Sequence, residues 1–177
     1  RVEYLDLLKK EAKVDYQASS REGLAAKAKE LGVEIDKNAG KAEIADEIYK
    51  KYCRPKIIPP TFLIHYPKES KPLAKTVAPD GPIAANFQLL VNGFEIVNAF
   101  SEQNDPIEQA ARLKEQEELF KQGFQEAQRT DTDFIEALEY GMPPCAGLGM
   151  GIDRLAALLT DSNALREIIL FPLMKPK

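Results

Sequence analysis

Near its C-terminal end the chain reads Gly147-Leu148-Gly149-Met150-Gly151-Ile152-Asp153-Arg154-Leu155. Glycine at every second position strips the side chains from one face of an extended segment, so a flat ring can lie directly against backbone. Arg154 follows in the first turn of an amphipathic helix, and its planar guanidinium can take phosphate oxygens through paired hydrogen bonds. A bare strand face beside a helix-borne arginine suits a nucleoside triphosphate. The same residues admit plainer readings. The glycines could pack beneath a neighbouring element, and Arg154 could be a surface arginine, because Ile152, Leu155, Ala156 and Leu159 make an apolar stripe without it. A dinucleotide fold is disfavoured, since no hydrophobic strand precedes Gly147 and no βαβ unit surrounds it.

A second group of polar residues lies on a hairpin. Asn92-Gly93, flanked by Phe87-Gln88-Leu89-Leu90-Val91 and Phe94-Glu95-Ile96-Val97, predicts a two-residue type I′ turn, in which both central positions need positive φ. Regular pairing sets Leu90 opposite Glu95 and Gln88 opposite Val97, diagonal to Glu95. Phe87, Leu89, Val91, Phe94 and Ile96 then form an apolar face. Strict alternation beyond Ile96 would turn Asn98, Phe100 and Glu102 into that apolar face, where an unpaired carboxylate costs several kcal/mol. Either the strand has left the sheet by then or a bulge flips the register between Glu95 and Asn98; the bulge is favoured, because it brings Glu95 and the triplet to one cleft. From spacing alone, Glu95 also reads as a solvated strand residue, and Glu102 as an approach residue before a helix capped by Asp105. His65, the sole histidine, reads as a structural strand residue.

The order of glycine strand, Arg154 helix, Asp161-Ser162-Asn163 and Ile168-Ile169-Leu170-Phe171-Pro172 resembles motif 3 of the class II aminoacyl-tRNA synthetases. Asn92 to Pro106, Gly141-Met142-Pro143-Pro144-Cys145-Ala146 and the tail Phe171-Pro172-Leu173-Met174-Lys175-Pro176 are similar to the lysyl members of that class, from about Pro60 to the end. The resemblance implies a fold, an activity and roles. Two carboxylates at positions 88 and 95 would hold magnesium against ATP, but position 88 is Gln88, an amide with one charge fewer. Glu95, Gly149, Gly151 and Arg154 would face ATP, with Arg154 offsetting its charge. Asn98, Phe100, Glu102 and Gly147 would line the lysine pocket, and Glu102 would pair with the ε-ammonium. The implied activity is formation of lysyl-adenylate and transfer to tRNA(Lys), by a cytoplasmic homodimer. Alternatives are a related protein that ligates lysine to another protein, or a non-catalytic dimerisation or binding module, to which Gln88 gives support.

The elements that must position these residues read as α+β, with a mostly antiparallel sheet flanked by helices. Residues 1–57 suggest a small helical subdomain, insertion-like: a helix over 2–12, a second capped by Ser19 with Glu22 and closed by Gly32, and a third over 41–52. Residues 58–177 suggest the C-terminal part of a class II synthetase core. It comprises a strand over 61–66, a Lys/Pro-rich loop over 67–82, the hairpin, a long helix after Asp105 with Ala110, Leu113, Phe120, Phe124 and Ala127 facing inward, a short helix over 133–140, the glycine strand, a helix over 152–160 and a last strand near Ile168. Because the chain starts at Arg1 and its first residues resemble the stretch after motif 2, it reads as part of a longer polypeptide, inactive by itself. The 177 residues carry 24 Lys and Arg against 28 Asp and Glu, a net charge of -4, so no broad nucleic-acid surface is implied. Cys53 and Cys145 lack metal-site spacing and read as free thiols of a reducing compartment. No run of the sequence has membrane-spanning length.

Overall fold

The computed structural model describes residues 1–124, 127, 129–162 and 164–172. Asn163 and the Leu173–Lys177 tail, both part of the resemblance above, lie outside the described residues. Five strands form one sheet in chain order: β1 (Val2–Glu3), β2 (Thr61–Ile64), β3 (Asn86–Val91), β4 (Phe94–Ser101) and β5 (Ala146–Met150). Only β1 and β2 run parallel; every other neighbour is antiparallel, as hairpin connections require. The fold is therefore α+β.

Helices α1 (Tyr4–Leu7), α2 (Arg21–Glu30) and α3 (Lys41–Ile48) build the first third of the chain, α1 and α3 each widening into a π turn, through Ala12 and Cys53 respectively. The cap of α2 is Ser20 rather than Ser19: its hydroxyl accepts from Gly23 N–H, while the Ser19 hydroxyl donates to the Asp15 carbonyl. These helices do not pack by themselves. Leu8, Leu24, Ile44, Ile48, Tyr49 and Cys53 share one core with Leu63, Tyr66 and Leu90 of the sheet region, and β1 lies inside the same 57 residues. At its centre the Tyr4 ring stacks on Tyr66 at 4.1 Å and meets Tyr49 edge-on at 5.3 Å.

The β3–β4 turn has Asn92 at φ 50° and Gly93 at φ 74°, the paired positive values of a type I′ turn. Its two N–H groups donate to the carbonyls of Ile58 and Ile57, which seats the hairpin tip against the end of the helical segment. Asp105 caps α4 (Pro106–Lys121) by accepting from Ile107 and Glu108 N–H. This helix ends earlier than its apolar pattern suggests. Gly123, at φ 99°, turns the chain so that Phe124 and Ala127 enter the core from beyond the helix. Helix α5 (Thr132–Glu139) is capped by Asp131 and followed by Gly141 at φ 111°. Helix α6 (Ile152–Leu159) buries Ala157 and lays Leu155 on the sheet, whereas Ile152 and Leu159 are exposed, contrary to the expected stripe: α6 meets the sheet through β4 and turns the rest of its surface outward. The strand expected near Ile168 is a 3₁₀ turn, Leu165–Glu167. No helix among the described residues is long and apolar enough to cross a membrane.

Candidate active site

The pairing of β3 with β4 breaks register once. Leu90 faces Glu95, but Leu89 faces Val97, so Ile96 is the extra residue of a bulge. Gln88 consequently lies opposite Asn98, not Val97, and Asn86 opposite Phe100. Since directly paired residues project to the same side, Glu95, Asn98 and Phe100 share the face of Asn86, Gln88 and Leu90. Ile96, Val97 and Ala99 are buried on the opposite side, with Phe87, Leu89, Val91, Phe94 and Leu155 packed around them. Two consecutive residues, Ile96 and Val97, can both enter this apolar layer only because the bulge interrupts alternation.

Strand β5 completes the polar face. Gly149 pairs with Asn98 and Gly147 with Phe100. A Cβ built on Gly147 would stand 2.2 Å from Glu102 Oε1, so the carboxylate occupies the space that a side chain at 147 would fill. Glu102 thus lies over the same face as Phe100 and Asn98. Among the described residues, no hydrogen bond or ion pair reaches this carboxylate, and desolvation raises its pKa above the ordinary carboxylate value. Asn98 Oδ1 is buried and also has no hydrogen-bond partner. The Asn98 amide oxygen is a buried acceptor without a donor, which costs free energy, and on the same face the half-exposed Glu102 carboxylate has no protein partner; both can accept from a cationic or N–H-donating group.

Arg154 folds back over Gly151, where a Cβ would come within 3.3 Å of its side chain, and its Nη1 donates to the Glu95 carbonyl at 2.8 Å. Gly151 N–H donates to the Ile96 carbonyl at 2.9 Å. The first turn of α6 is therefore tied to the bulge by two bonds, and the arginine, though exposed, is held against the Glu95 backbone. Gly149 and Gly151 leave the strand backbone bare next to it.

Gln88 departs from the ion-binding role. It is 5% exposed, and its Oε1 accepts hydroxyls from Tyr66 and Tyr49. Both lone pairs of that oxygen are taken. The two-ligand magnesium site expected at positions 88 and 95 does not fit these residues, and among the described residues no three His, Cys, Asp or Glu side chains gather as a metal cage. Glu95 remains as the acidic residue of the pair. His65 lies apart from this group and pairs with Glu3 at 2.8 Å. Cys53 is buried and Cys145 exposed.

Sequence reasoning missed the tyrosines and Lys71. Lys71 follows β2 and lays its ammonium over the Tyr66 ring, 4.8 Å from the centroid. Nothing in local pattern announces either contact, because each joins segments that are distant in the chain or bent back on themselves.

The family model of class II tRNA synthetases (D, K and N) matches residues 2–175. The chain is 46% identical over 180 residues to a lysine–tRNA ligase of Pelotomaculum thermopropionicum, an alignment covering all of this chain and 36% of that protein. It is 42% identical over 177 residues to the lysine–tRNA ligase of Azobacteroides pseudotrichonymphae, again its whole length and 35% of the relative. A lysine–tRNA ligase of Carboxydothermus hydrogenoformans is 49% identical over 152 residues, 86% of this chain and 31% of that protein. The chain thus spans about a third of the length of the curated relatives it matches. A glycine strand answered by a bulged strand, with a match from residue 2 to residue 175, fixes the conclusion that this chain belongs to the class II tRNA synthetases of the D, K and N group.

Proposed function

We propose that this chain supplies the amino-acid pocket and part of the ATP site of a lysine–tRNA ligase. The observation that carries this reading is the unpartnered Glu102 carboxylate over Gly147, on the same face as the orphaned Asn98 Oδ1. A lysine ε-ammonium fits the first, and an N–H donor of the ligand fits the second. Phe100 packs on the substrate's methylenes or the base. ATP lies along Gly149 and Gly151, and Arg154 exchanges the Glu95 carbonyl for phosphate oxygens. Magnesium enters with ATP as part of the substrate, with Glu95 the residue of this chain that faces it. The lysine carboxylate attacks the α-phosphate and pyrophosphate leaves. The protein contributes position and charge stabilisation, and no side-chain nucleophile is involved. The lysyl group then passes to tRNA(Lys). The active form is a cytoplasmic homodimer of a longer polypeptide, and this stretch by itself does not activate lysine. Ligation of lysine to a protein and a purely structural role are both less favoured, since the relatives named above are lysine–tRNA ligases.

The test is lysine-dependent exchange of pyrophosphate into ATP by the polypeptide that carries this chain, with and without Glu102→Gln. Loss of a buried partner of the substrate ammonium costs about 3–5 kcal/mol of lysine recognition. A drop below about tenfold in kcat/KM, ~1.4 kcal/mol, removes Glu102 from the pocket. Equal exchange with several amino acids overturns the lysine assignment itself.

A further inference from the structure

On the polar face of the sheet, position 88 is neutral and closed: the Gln88 oxygen is held by two tyrosine hydroxyls. The same Tyr66 that donates to Gln88 carries the Lys71 ammonium on its ring face. Lys71 is half-buried, and its pKa is lowered chiefly by desolvation, with Asp46 and Glu95 acting in the opposite sense and Lys50 in the same one. Tyr66 donates to Gln88, which shares a face of the sheet with Glu95 and Asn98, so the ammonium on the Tyr66 ring lies toward that face. An ammonium has three donors. Among the described residues Lys71 uses none of them in a hydrogen bond or ion pair, and its one contact of charge is the Tyr66 ring.

Lys71 is half-buried, and among the described residues its three donors meet no protein acceptor, so they are open to a ligand. The cation–π contact supplies about 0.5–2 kcal/mol, which does not replace three hydrogen bonds. An anionic ligand with several oxygens does. A carboxylate at position 88 would place a negative charge at the hydroxyl of the ring that carries Lys71. An amide there, saturated by hydroxyls, leaves the ammonium its charge. The residue that spoils a two-carboxylate ion site is thus the one that keeps a protein cation available in its place.

We propose that Lys71 is a polyphosphate-binding residue: its ammonium takes terminal phosphate oxygens beside Glu95, where an ion held by a carboxylate at position 88 would otherwise supply the charge. The inference rests on the reading of this face as an ATP site and adds a residue to it. Lysine is suited to the role as a compact point charge for phosphate, without the fixed fork of an arginine.

The experiment is calorimetric titration of the 177-residue chain with inorganic pyrophosphate, with magnesium present and with magnesium chelated. Lys71→Met removes the charge and keeps the stem; Lys71→Arg keeps the charge; Lys114→Met, on the exposed side of α4, is the control. Pyrophosphate is expected to bind without magnesium, to bind about tenfold or more weakly to Lys71→Met, and to bind Lys71→Arg within about threefold of the parent. In the parent chain, the ¹⁵N resonance of the Lys71 ammonium is expected to shift on addition of pyrophosphate and not of acetate, which decides the matter if Lys71→Met fails to fold. No binding by the parent chain, Lys71→Met within about twofold of it, or an equal response to acetate overturns the proposal. The two readings fail separately. Pyrophosphate binding through Lys71 in a polypeptide that exchanges pyrophosphate without lysine preference sinks the lysine assignment and leaves Lys71 standing. Lysine-dependent exchange untouched by Lys71→Met does the reverse.

Discussion

Replacing Gln88 with leucine isolates the junction between the helical segment and the sheet. Gln88 is 5% exposed, and its oxygen accepts from Tyr66, which is fully buried, and from Tyr49, at 2% exposure. Leucine has a similar volume, so the cavity contribution is small, but both hydroxyls lose their acceptor. The two hydroxyls are also within hydrogen-bond reach of each other, so one can accept from its neighbour and one buried donor is stranded, at about 1–3 kcal/mol. Against a total stability of roughly 5–15 kcal/mol, this leaves a folded but clearly weakened chain. Urea unfolding at constant slope reads the change as a shift in midpoint.

The decisive comparison uses the background Tyr49→Phe/Tyr66→Phe. There the hydroxyls are already gone, and Gln88→Leu then swaps an unsatisfied amide for an apolar side chain, a nearly neutral or favourable step. The coupling between position 88 and the two tyrosines is expected to exceed about 1 kcal/mol, as for groups within one hydrogen-bond network. A cost for Gln88→Leu below about 0.5 kcal/mol, or the same cost in both backgrounds, refutes the reasoning, because the hydroxyls would then be satisfied elsewhere.

Three further outcomes follow from the same geometry. Glu102 has a raised pKa, so the free energy favouring its protonated form is fully present below the unfolded value of about 4.3 and is lost as pH rises through the folded value; Glu102→Gln is therefore expected to gain stability over the parent as pH rises from 4 to 7, measured as a widening gap in urea midpoints. Gly147→Ala sets a Cβ 2.2 Å from Glu102 Oε1, which the free carboxylate can relieve by swinging away; lysine recognition is expected to fall while the unfolding midpoint stays nearly unchanged, whereas a large loss of stability would mean that the carboxylate is fixed. Burial pushes the Cys53 thiol up to about 11, so iodoacetamide at neutral pH is expected to modify Cys145 alone, as mass spectrometry of the peptides would show.

Much of the scaffold was legible because its signals are local. Asn92-Gly93 specifies a turn by its need for positive φ, Asp105-Pro106 a helix start, and Gly141 a helix stop. The bulge was legible for a different reason: unbroken alternation would have put Glu102 into an apolar layer, and the cost of that burial required a register break. Its position at Ile96 was not fixed by this argument, which is why Gln88 was assigned the wrong cross-strand partner. The end of α4 was misread because Phe124 and Ala127 continue the apolar period although Gly123 has already turned the chain. Gln88 as a buried acceptor was beyond reach: Tyr49 lies 39 residues away and Tyr66 lies 22 away, and a hydroxyl pointing at an amide leaves no mark in periodicity. The stripe of α6 failed for a simpler reason. Period identifies an apolar face, but not whether anything covers it.

The bulge does more than reorient three side chains. At the bulge the carbonyls of Glu95 and Ile96 are both taken up by the start of α6, through Arg154 Nη1 and Gly151 N–H. The bulge that places Asn98 and Phe100 on the polar face thus lies directly against the arginine. Among the described residues a phosphate oxygen competes for Arg154 with one neutral carbonyl, and a phosphate adds an opposite charge and a second, parallel hydrogen bond from the guanidinium fork. Binding of the anion is thus favoured over the bond it displaces, while Gly151 N–H keeps the helix anchored during the exchange. In this arrangement the arginine is held near its working position before the ligand arrives, at the cost of a bond weaker than the one that replaces it.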